Sequence, residues 1–332
     1  MAHPTVTVLL PVLDEADTID ACLTSLAGQE YPGRLTIVVA DGGSVDGTLE
    51  RLGAWKARLP DLLTIDNPGR VQSTGLNLAA SAADGEVLVR ADAHTTYAPD
   101  YVARSVETLL TTNATAVGGT QRPEGTTAFG RAVAAAMTSP MTVGPARFRH
   151  ADSLGEADTV YLGAFRRADF LELRGFRTLP SGVAEDADLY YRWRQAGGRI
   201  LVDPAIRSSY RPRETPRGLW RQFYRYGIGK VDMLYLNGRW PSWRPAAPLA
   251  LVLGTLAGIL VGVGGSWWPL LALLGAWLLV VGTTGARIVR TPGMWMGFVA
   301  AAAIMQTSYG LGLLRGLARR PARVRRSVEM EA

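Results

Sequence analysis

Over long stretches this chain carries no charge at all. No Asp, Glu, Lys or Arg occurs from Ala246 to Ala286, and none between Arg290 and Arg315. Charged residues make up 19% of the 332, below the roughly 25% of ordinary soluble domains. The deficit lies entirely in these C-terminal stretches, so a uniformly soluble protein is excluded. The single cysteine, Cys22, rules out an intramolecular disulfide and any Cys-based zinc site; it is expected to pack as a small apolar residue in the first helix. No Gly-x-Gly-x-x-Gly follows the first apolar run, which disfavours a dinucleotide fold of the usual kind. No Ser-His-Asp or Cys-His set is recognisable. Met1 to Pro4 leads straight into a strand without a signal peptide, so the globular part is expected to stay in the cytoplasm.

What is present divides by composition. Residues 1–210 read as one globular domain and 211–245 as an amphipathic segment. Residues 246–316 read as a membrane region with about three apolar spans, 249–264, 268–285 and 294–314, and 317–332 as a basic tail. At about 1.5 Å per helical residue, such spans cross a hydrocarbon core of about 30 Å. The tight Gly265-Ser266-Trp267 connection implies a hairpin with Trp267 and Trp268 at an interface. The formal net charge is +6, and the excess Arg sits beside the apolar spans. It is therefore assigned to anionic lipid rather than to nucleic acid.

Topology is left with two alternatives. Three full spans put the Arg-rich tail opposite the equally basic Arg211 to Arg244 segment, although the positive-inside rule wants both in the cytoplasm. Either one segment is re-entrant or interfacial, or the rule is broken here.

In the globular part, apolar runs of strand length alternate with helical patterns. Thr5 to Leu10, Leu35 to Ala40, Leu62 to Ile65 and Val87 to Arg90 are strands, each followed by a polar loop and, for the first three, a helix. This βαβα order predicts a doubly wound, mostly parallel α/β sheet. Gly125 to Val143 reads as a small-residue helix, Gly144 to Asp158 as a turn-rich insertion and Thr159 to Phe165 as a further strand. A helix from Ala187 to Gln195 stops at Gly197-Gly198.

Acids end four successive features: Glu15, Asp41, Asp92 and Asp186. Each alone reads as a cap or turn acid. Placed together after the strands of one parallel sheet, they lie where open α/β sheets bind ligands. Asp92 and His94, two apart, are placed to face one cation carrying a phosphorylated substrate.

Four motifs then carry a resemblance. Pro11-Val12-Leu13-Asp14-Glu15, the DGGSVDGT run from Asp41, Asp92-Ala93-His94, and the EDADLYYRWRQAG run from Glu185 resemble family 2 glycosyltransferases of the GT-A fold. The NPGRVQSTGLN run from Asn67 and the DTVYLGAFRR run from Asp158 bring the likeness closer to membrane-anchored exopolysaccharide enzymes of the succinoglycan type. The resemblance covers about residues 5–235. It implies a divalent cation, Mg²⁺ or Mn²⁺, held by Asp92 and by His94, where many relatives have Asp; a loop histidine of no special role is the alternative for His94. It implies nucleotide-sugar contacts from Pro11, Glu15, Asp41, Arg70 and Asp92. Asp186 becomes the catalytic base, with Glu185 as the fallback, and Asp188 a first-turn dipole acid. Asp46 is taken as the cap of the next helix.

Gln222, Arg225 and Tyr226 resemble a Gln-x-x-Arg-Trp element that covers the diphosphate and meets the acceptor, with Tyr in place of Trp. An interfacial helix with snorkelling Arg is the equal alternative. The activity implied is inverting transfer from a nucleotide-diphosphate sugar to a lipid-linked acceptor, a polyprenyl-diphosphate oligosaccharide. It would take place at the cytoplasmic face of the cell membrane, with polysaccharide-assembly proteins as possible partners. Transfer to polyprenyl monophosphate, or a non-catalytic scaffold, are the alternatives.

Overall fold

A computed structural model describes residues 3–240 and 243–319. In chain order the first half holds β1 (Val6–Val12), α1 (Ile19–Ala27), β2 (Leu35–Asp41), α2 (Thr48–Lys56), β3 (Leu62–Asp66), α3 (Gln72–Ala82), β4 (Val87–Arg90), β5 (Thr95–Tyr97), α4 (Tyr101–Thr112), β6 (Ala116–Gly119), β7 (Arg122–Pro123), α5 (Ala128–Met137), α6 (Pro140–Val143) and α7 (Arg147–His150). There follow β8 (Gly155–Glu156), β9 (Tyr161–Arg166), α8 (Arg167–Glu172), α9 (Glu185–Gln195), β10 (Ile200–Val202), β11 (Ser208–Tyr210), α10 (Pro216–Asn237), α11 (Ala246–Val263), α12 (Trp268–Ile288) and α13 (Pro292–Leu317).

These elements form two compact units that do not follow sequence order. The first comprises residues up to Arg122, Arg147–Thr178 and Glu185–Tyr210; the second comprises Pro123–Ala146, Leu179–Ala184 and the residues from Arg211 onward. The stretch 123–146, read from sequence as part of the globular domain, thus falls in the second unit. Its α5 is apolar and small, with Ala132, Val133, Ala136 and Met137 buried. Such a face needs an apolar partner, and in the second unit Ala132 finds one at Gly297 of α13.

The first unit is built on a sheet ordered β3-β2-β1-β4-β9-β6-β10-β8. Strands β3, β2, β1 and β4 run parallel, as do β6 and β10. The β9 strand enters antiparallel between β4 and β6, a pairing that local apolar pattern does not specify. Alternation along β1 feeds both faces of the sheet: Val8 and Leu10 join Ile19, Leu23 and Leu26 on one side, while Leu9 joins Leu76, Ala79 and Leu88 on the other. Cys22 is fully buried among the first group. Because β2 and β4 flank β1 and leave it in opposite directions, the C-terminal ends of β1, β2 and β4 converge on one switch point of the sheet.

The second unit is helical. Three of its helices, α11, α12 and α13, are long and apolar enough to cross a membrane. The α11–α12 turn is closed by Gly265 at φ 111°, a left-handed value that glycine adopts without a Cβ penalty. Most of the tail expected at 317–332 lies outside the described residues, as do Arg320, Arg323, Arg325 and Arg326.

Candidate active site

The loops after β1 and β2 are sewn together. The Asp14 amide donates to Ser44 Oγ, the Val45 amide to Asp14 Oδ1, and the Glu15 amide to Thr48 Oγ1, each at 2.9 Å. Asp14 sits at φ 56° to make this possible. Asp46 does not occupy the cap position of α2. That position is Gly47, and Asp46 accepts both from Thr48 and from the Ala16 amide of the other loop.

Asp41, at the end of β2, is buried and turns its carboxylate on its own loop. Oδ2 accepts from the Gly43 and Ser44 amides at 2.8 and 3.1 Å, and Oδ1 from Ser44 Oγ at 2.6 Å. Arg70, at φ 54°, leans over that loop and donates to the Gly43 carbonyl at 3.3 Å. Asp41 and Arg70 therefore share one loop. Pro11 is the half-buried penultimate residue of β1, in register with Ala40.

Asp92 and His94 lie just beyond β4. The backbone of Asp92 is pinned by Tyr97, whose hydroxyl accepts from the Asp92 amide at 2.8 Å and donates to its carbonyl at 3.1 Å. Gln72 and Arg90 both donate to Oδ1, at 2.9 and 3.4 Å, and Oδ2 has no hydrogen bond among the described residues. His94 places Nδ1 3.4 Å from Glu15 Oε1 and rests edge-on against Tyr210. A carboxylate on Nδ1 fixes the tautomer that leaves Nε2 as a lone-pair donor, the usual way a metal-binding histidine is oriented. Among the described residues no group of three or more His, Cys, Asp and Glu is placed to hold a metal. One open carboxylate oxygen and one open imidazole nitrogen fit a divalent cation whose remaining ligands come from phosphate and water, with Mn²⁺ the better match for nitrogen.

Sequence reasoning missed Arg90. It is the last residue of an otherwise apolar strand, yet it is buried, with Nε 3.4 Å from Asp92 Oδ1 and Nη1 3.2 Å from Glu185 Oε1. Burial opposes its charge, but Asp92, Glu185 and Asp186 outweigh that and hold the guanidinium protonated. Glu185 is equally buried. Burial pushes its carboxyl up to about 7, against the pull of Arg90. Asp186, next to it at the start of α9, is half-exposed; its Oδ1 accepts from the Ala187 amide at 2.6 Å, and Oδ2 has no hydrogen bond among the described residues. The pair thus divides: one acid is bound to Arg90, the other presents an open oxygen.

Asp188 corrects an expectation. It is fully buried, 2.9 Å from Arg192 Nε and 3.7 Å from Arg177 Nη1. Arg192 in turn donates to the Leu173 and Gly175 carbonyls. Asp188 locks the loop before α9 and is no mere first-turn dipole acid.

The three residues expected on the acceptor side lie in the second unit, on α10. Gln222 donates to the Tyr226 hydroxyl at 3.1 Å. Arg225 donates through Nη2 to the Ser181 carbonyl at 3.0 Å and to the Gly182 carbonyl at 3.4 Å. Asp232 of the same helix accepts from the Ser181 amide at 2.9 Å. Residues 181–184 lead directly into Glu185 and Asp186 in the chain.

A mostly parallel sheet whose switch point gathers acids from β1, β2 and β4 is the GT-A glycosyltransferase architecture. The chain belongs to glycosyl transferase family 2, whose model matches residues 7–172. It is 30% identical, over 93% of its own length and 94% of the relative's, to the succinoglycan biosynthesis protein ExoA of Rhizobium meliloti (strain 1021). A shorter match, 29% identical over 35% of this chain and 39% of the other, is to glycosyltransferase AglE of Haloferax volcanii. Among solved structures it resembles mannosyltransferase PcManGT from Pyrobaculum calidifontis in complex with GDP-Man and Mn²⁺, with a TM-score of 0.66, 24% identity and coverage of 96% of this chain and 88% of that one. It also resembles S. aureus TarS 1–349, with a TM-score of 0.51, 14% identity and coverage of 95% and 93%.

Proposed function

We propose that this glycosyltransferase moves a sugar, with inversion, from a nucleotide-diphosphate sugar to a lipid-linked acceptor in exopolysaccharide or cell-envelope glycan synthesis. The observation that carries the reading is the division of labour between adjacent acids. Glu185 is bound to Arg90 and unavailable, while Asp186 keeps an open carboxylate oxygen. In the displacement, the acceptor hydroxyl oxygen bonds to the anomeric carbon as the bond from that carbon to phosphate oxygen breaks. The hydroxyl proton passes to Asp186, and the nucleoside diphosphate departs. General-base help of this kind is worth typically about 10²–10⁴ in rate.

Asp92 Oδ2 and His94 Nε2 would hold a divalent cation, which neutralises the leaving diphosphate as a Lewis acid. Glu15 orients His94, and Gln72, Arg90 and Tyr97 hold Asp92 in place. Asp41 shapes the Gly43-Ser44 loop, and Arg70 above it is available to the nucleotide side. Arg225 holds residues 181–182 through Nε and Nη2, which leaves Nη1 for the diphosphate or acceptor contact that its motif implies, with Gln222 and Tyr226 beside it. The PcManGT and TarS folds with GDP-mannose and UDP and the ExoA relative support a nucleotide-sugar donor and a polysaccharide pathway. The membrane segments support an acceptor presented by lipid at the cytoplasmic face.

The test is a transfer assay with a panel of UDP- and GDP-sugars and a membrane lipid extract, with and without Mn²⁺. Labelled sugar is expected in the lipid fraction as an oligosaccharide diphosphate. Label found only on a lipid monophosphate would support that smaller acceptor instead, and no transfer from any donor would sink the reading.

A further inference from the structure

Three helices are apolar enough to cross a membrane, but they are not alike. The most apolar windows of α11 and α12 are each 17% buried, and that of α13 is 44% buried. From Ala301 to Leu314 no residue of α13 is exposed, whereas Leu260, Val263, Trp268, Leu271 and Leu279 of the other two stand open.

The helices that cover α13 carry charged residues beside their contacts with it. Near its start, Gly297 leaves little room beside Ala132 of α5, the neighbour of exposed Arg131. Farther on, Gln306 donates to the carbonyls of Met141 and Thr142 at 2.9 and 3.3 Å. Gly312 touches Tyr224 and Gly227 of α10, on either side of exposed Arg225. At its end Gly316 abuts Val231, beside Lys230, and Arg319 pairs with buried Asp232 at 3.3 Å. Were α13 to lie across hydrocarbon, Arg131, Arg225, Lys230 and the Asp232–Arg319 pair would be carried in with it, a placement that membranes strongly disfavour.

The contacts between α13 and the α11–α12 hairpin point the same way. Trp295 and Phe298 of α13 meet Gly282 and Gly285, Gln306 accepts from Trp277 at 2.7 Å, and Gly310 meets Pro248 and Val252. Each lies at, or on the open-end side of, the midpoint of its hairpin helix. Along its length α13 passes from α12 to α11 without reaching the tip half of either helix beyond Trp277.

We infer that only α11 and α12 penetrate the bilayer, as a two-span hairpin, and that α13 lies with α10 and α5 along the membrane surface, where these helices contact lipid headgroups. The inference rests on the membrane-associated reading above. The hairpin tip, Gly264 to Trp268, then carries no charge on the far side. Arg211 to Arg244, Arg287, Arg290, Arg315 and Arg319 all lie on the near side, as the positive-inside rule requires.

Single cysteines in a Cys22→Ser background, in the full-length protein in sealed membranes, test this with a membrane-impermeant maleimide applied from each side. Sites are Arg213→Cys before the hairpin, Ser266→Cys at its tip, Gly293→Cys after α12 and Ala318→Cys after α13. Labelling of Ser266→Cys from the side opposite to the other three is the expected result. Labelling of Ala318→Cys from the side of Ser266→Cys would mean that α13 crosses, and would overturn the inference. Labelling of all four from one side would instead remove the membrane-spanning reading itself. Retained sugar transfer in each variant controls for folding.

Discussion

Arg90 Nη1 lies 3.2 Å from Glu185 Oε1, and both side chains are less than a tenth exposed. The same guanidinium reaches Asp92 Oδ1 through Nε. One buried cation thus ties the strand end that carries Asp92 to the helix start that carries Asp186. Ion pairs of this kind seldom add net stability over apolar packing, but losing one partner leaves a costly uncompensated charge.

Substitution at Arg90 separates size from charge. Arg90→Met leaves Glu185 and Asp92 without their shared partner and is expected to cost about 3–5 kcal/mol of stability. Arg90→Lys keeps the charge but loses the planar fork that serves two acids at once. It is expected to fold while losing activity chiefly in kcat. Thermal unfolding alongside steady-state kinetics checks both, and an Arg90→Lys enzyme with unchanged kcat would show that the bridge does not position the site.

The raised Glu185 carboxyl has a definite sign in pH. Its ordinary value is 4.5 and burial in the folded protein moves it to about 7. Between these values the folded state binds a proton that the unfolded chain releases, so stability contributed by this group falls as pH rises from about 4.5 to about 7. Melting temperatures over that range are expected to decline less steeply for Glu185→Gln than for the parent. Parallel curves would assign the decline to other groups.

Glu214 has the opposite sign. Burial opposes its ionisation, but hydrogen bonds from Thr126 and Thr127, and one from Arg211, outweigh it and bring the carboxyl from 4.5 to about 2. Its contribution is present above about pH 4.5 and is lost as pH falls toward 2. Glu214→Gln should reduce the acid sensitivity of the helical unit, read by circular dichroism in detergent between pH 2 and 5.

Metal dependence follows from the donor set. Chelation is expected to abolish transfer, with Mn²⁺ restoring it better than Mg²⁺ because an imidazole nitrogen suits the softer ion. His94→Asp should narrow that preference, and His94→Ala should weaken Mn²⁺ activation. A His94→Ala enzyme with unaltered Mn²⁺ dependence would remove His94 from the site and leave Asp92.

Much of the fold was legible because local rules dictate it. The apolar runs at Thr5–Leu10 and Leu35–Ala40 became neighbouring parallel strands, and the loops after them meet as the alternation of strand and helix implied. Long-range pairing was not legible: β9 runs antiparallel, and α5 packs with the C-terminal helices, because a strand or helix pattern does not name its partner. At the site, acids stood out by type and position. Arg90 did not, because a charge ending an apolar strand reads as a surface residue until its partner 95 positions away is seen. Arg225 hid a second contact: its motif suggested a phosphate, and the bonds from Nε and Nη2 to the Ser181 and Gly182 carbonyls could not be read from it.

The central claim is that Asp186, not Glu185, takes the acceptor proton. Asp186→Asn should lower transfer by about 10²–10⁴ while nucleotide-sugar binding, measured by calorimetry on the same preparation, stays within twofold of the parent. Transfer at the parental rate with Asp186→Asn would contradict it.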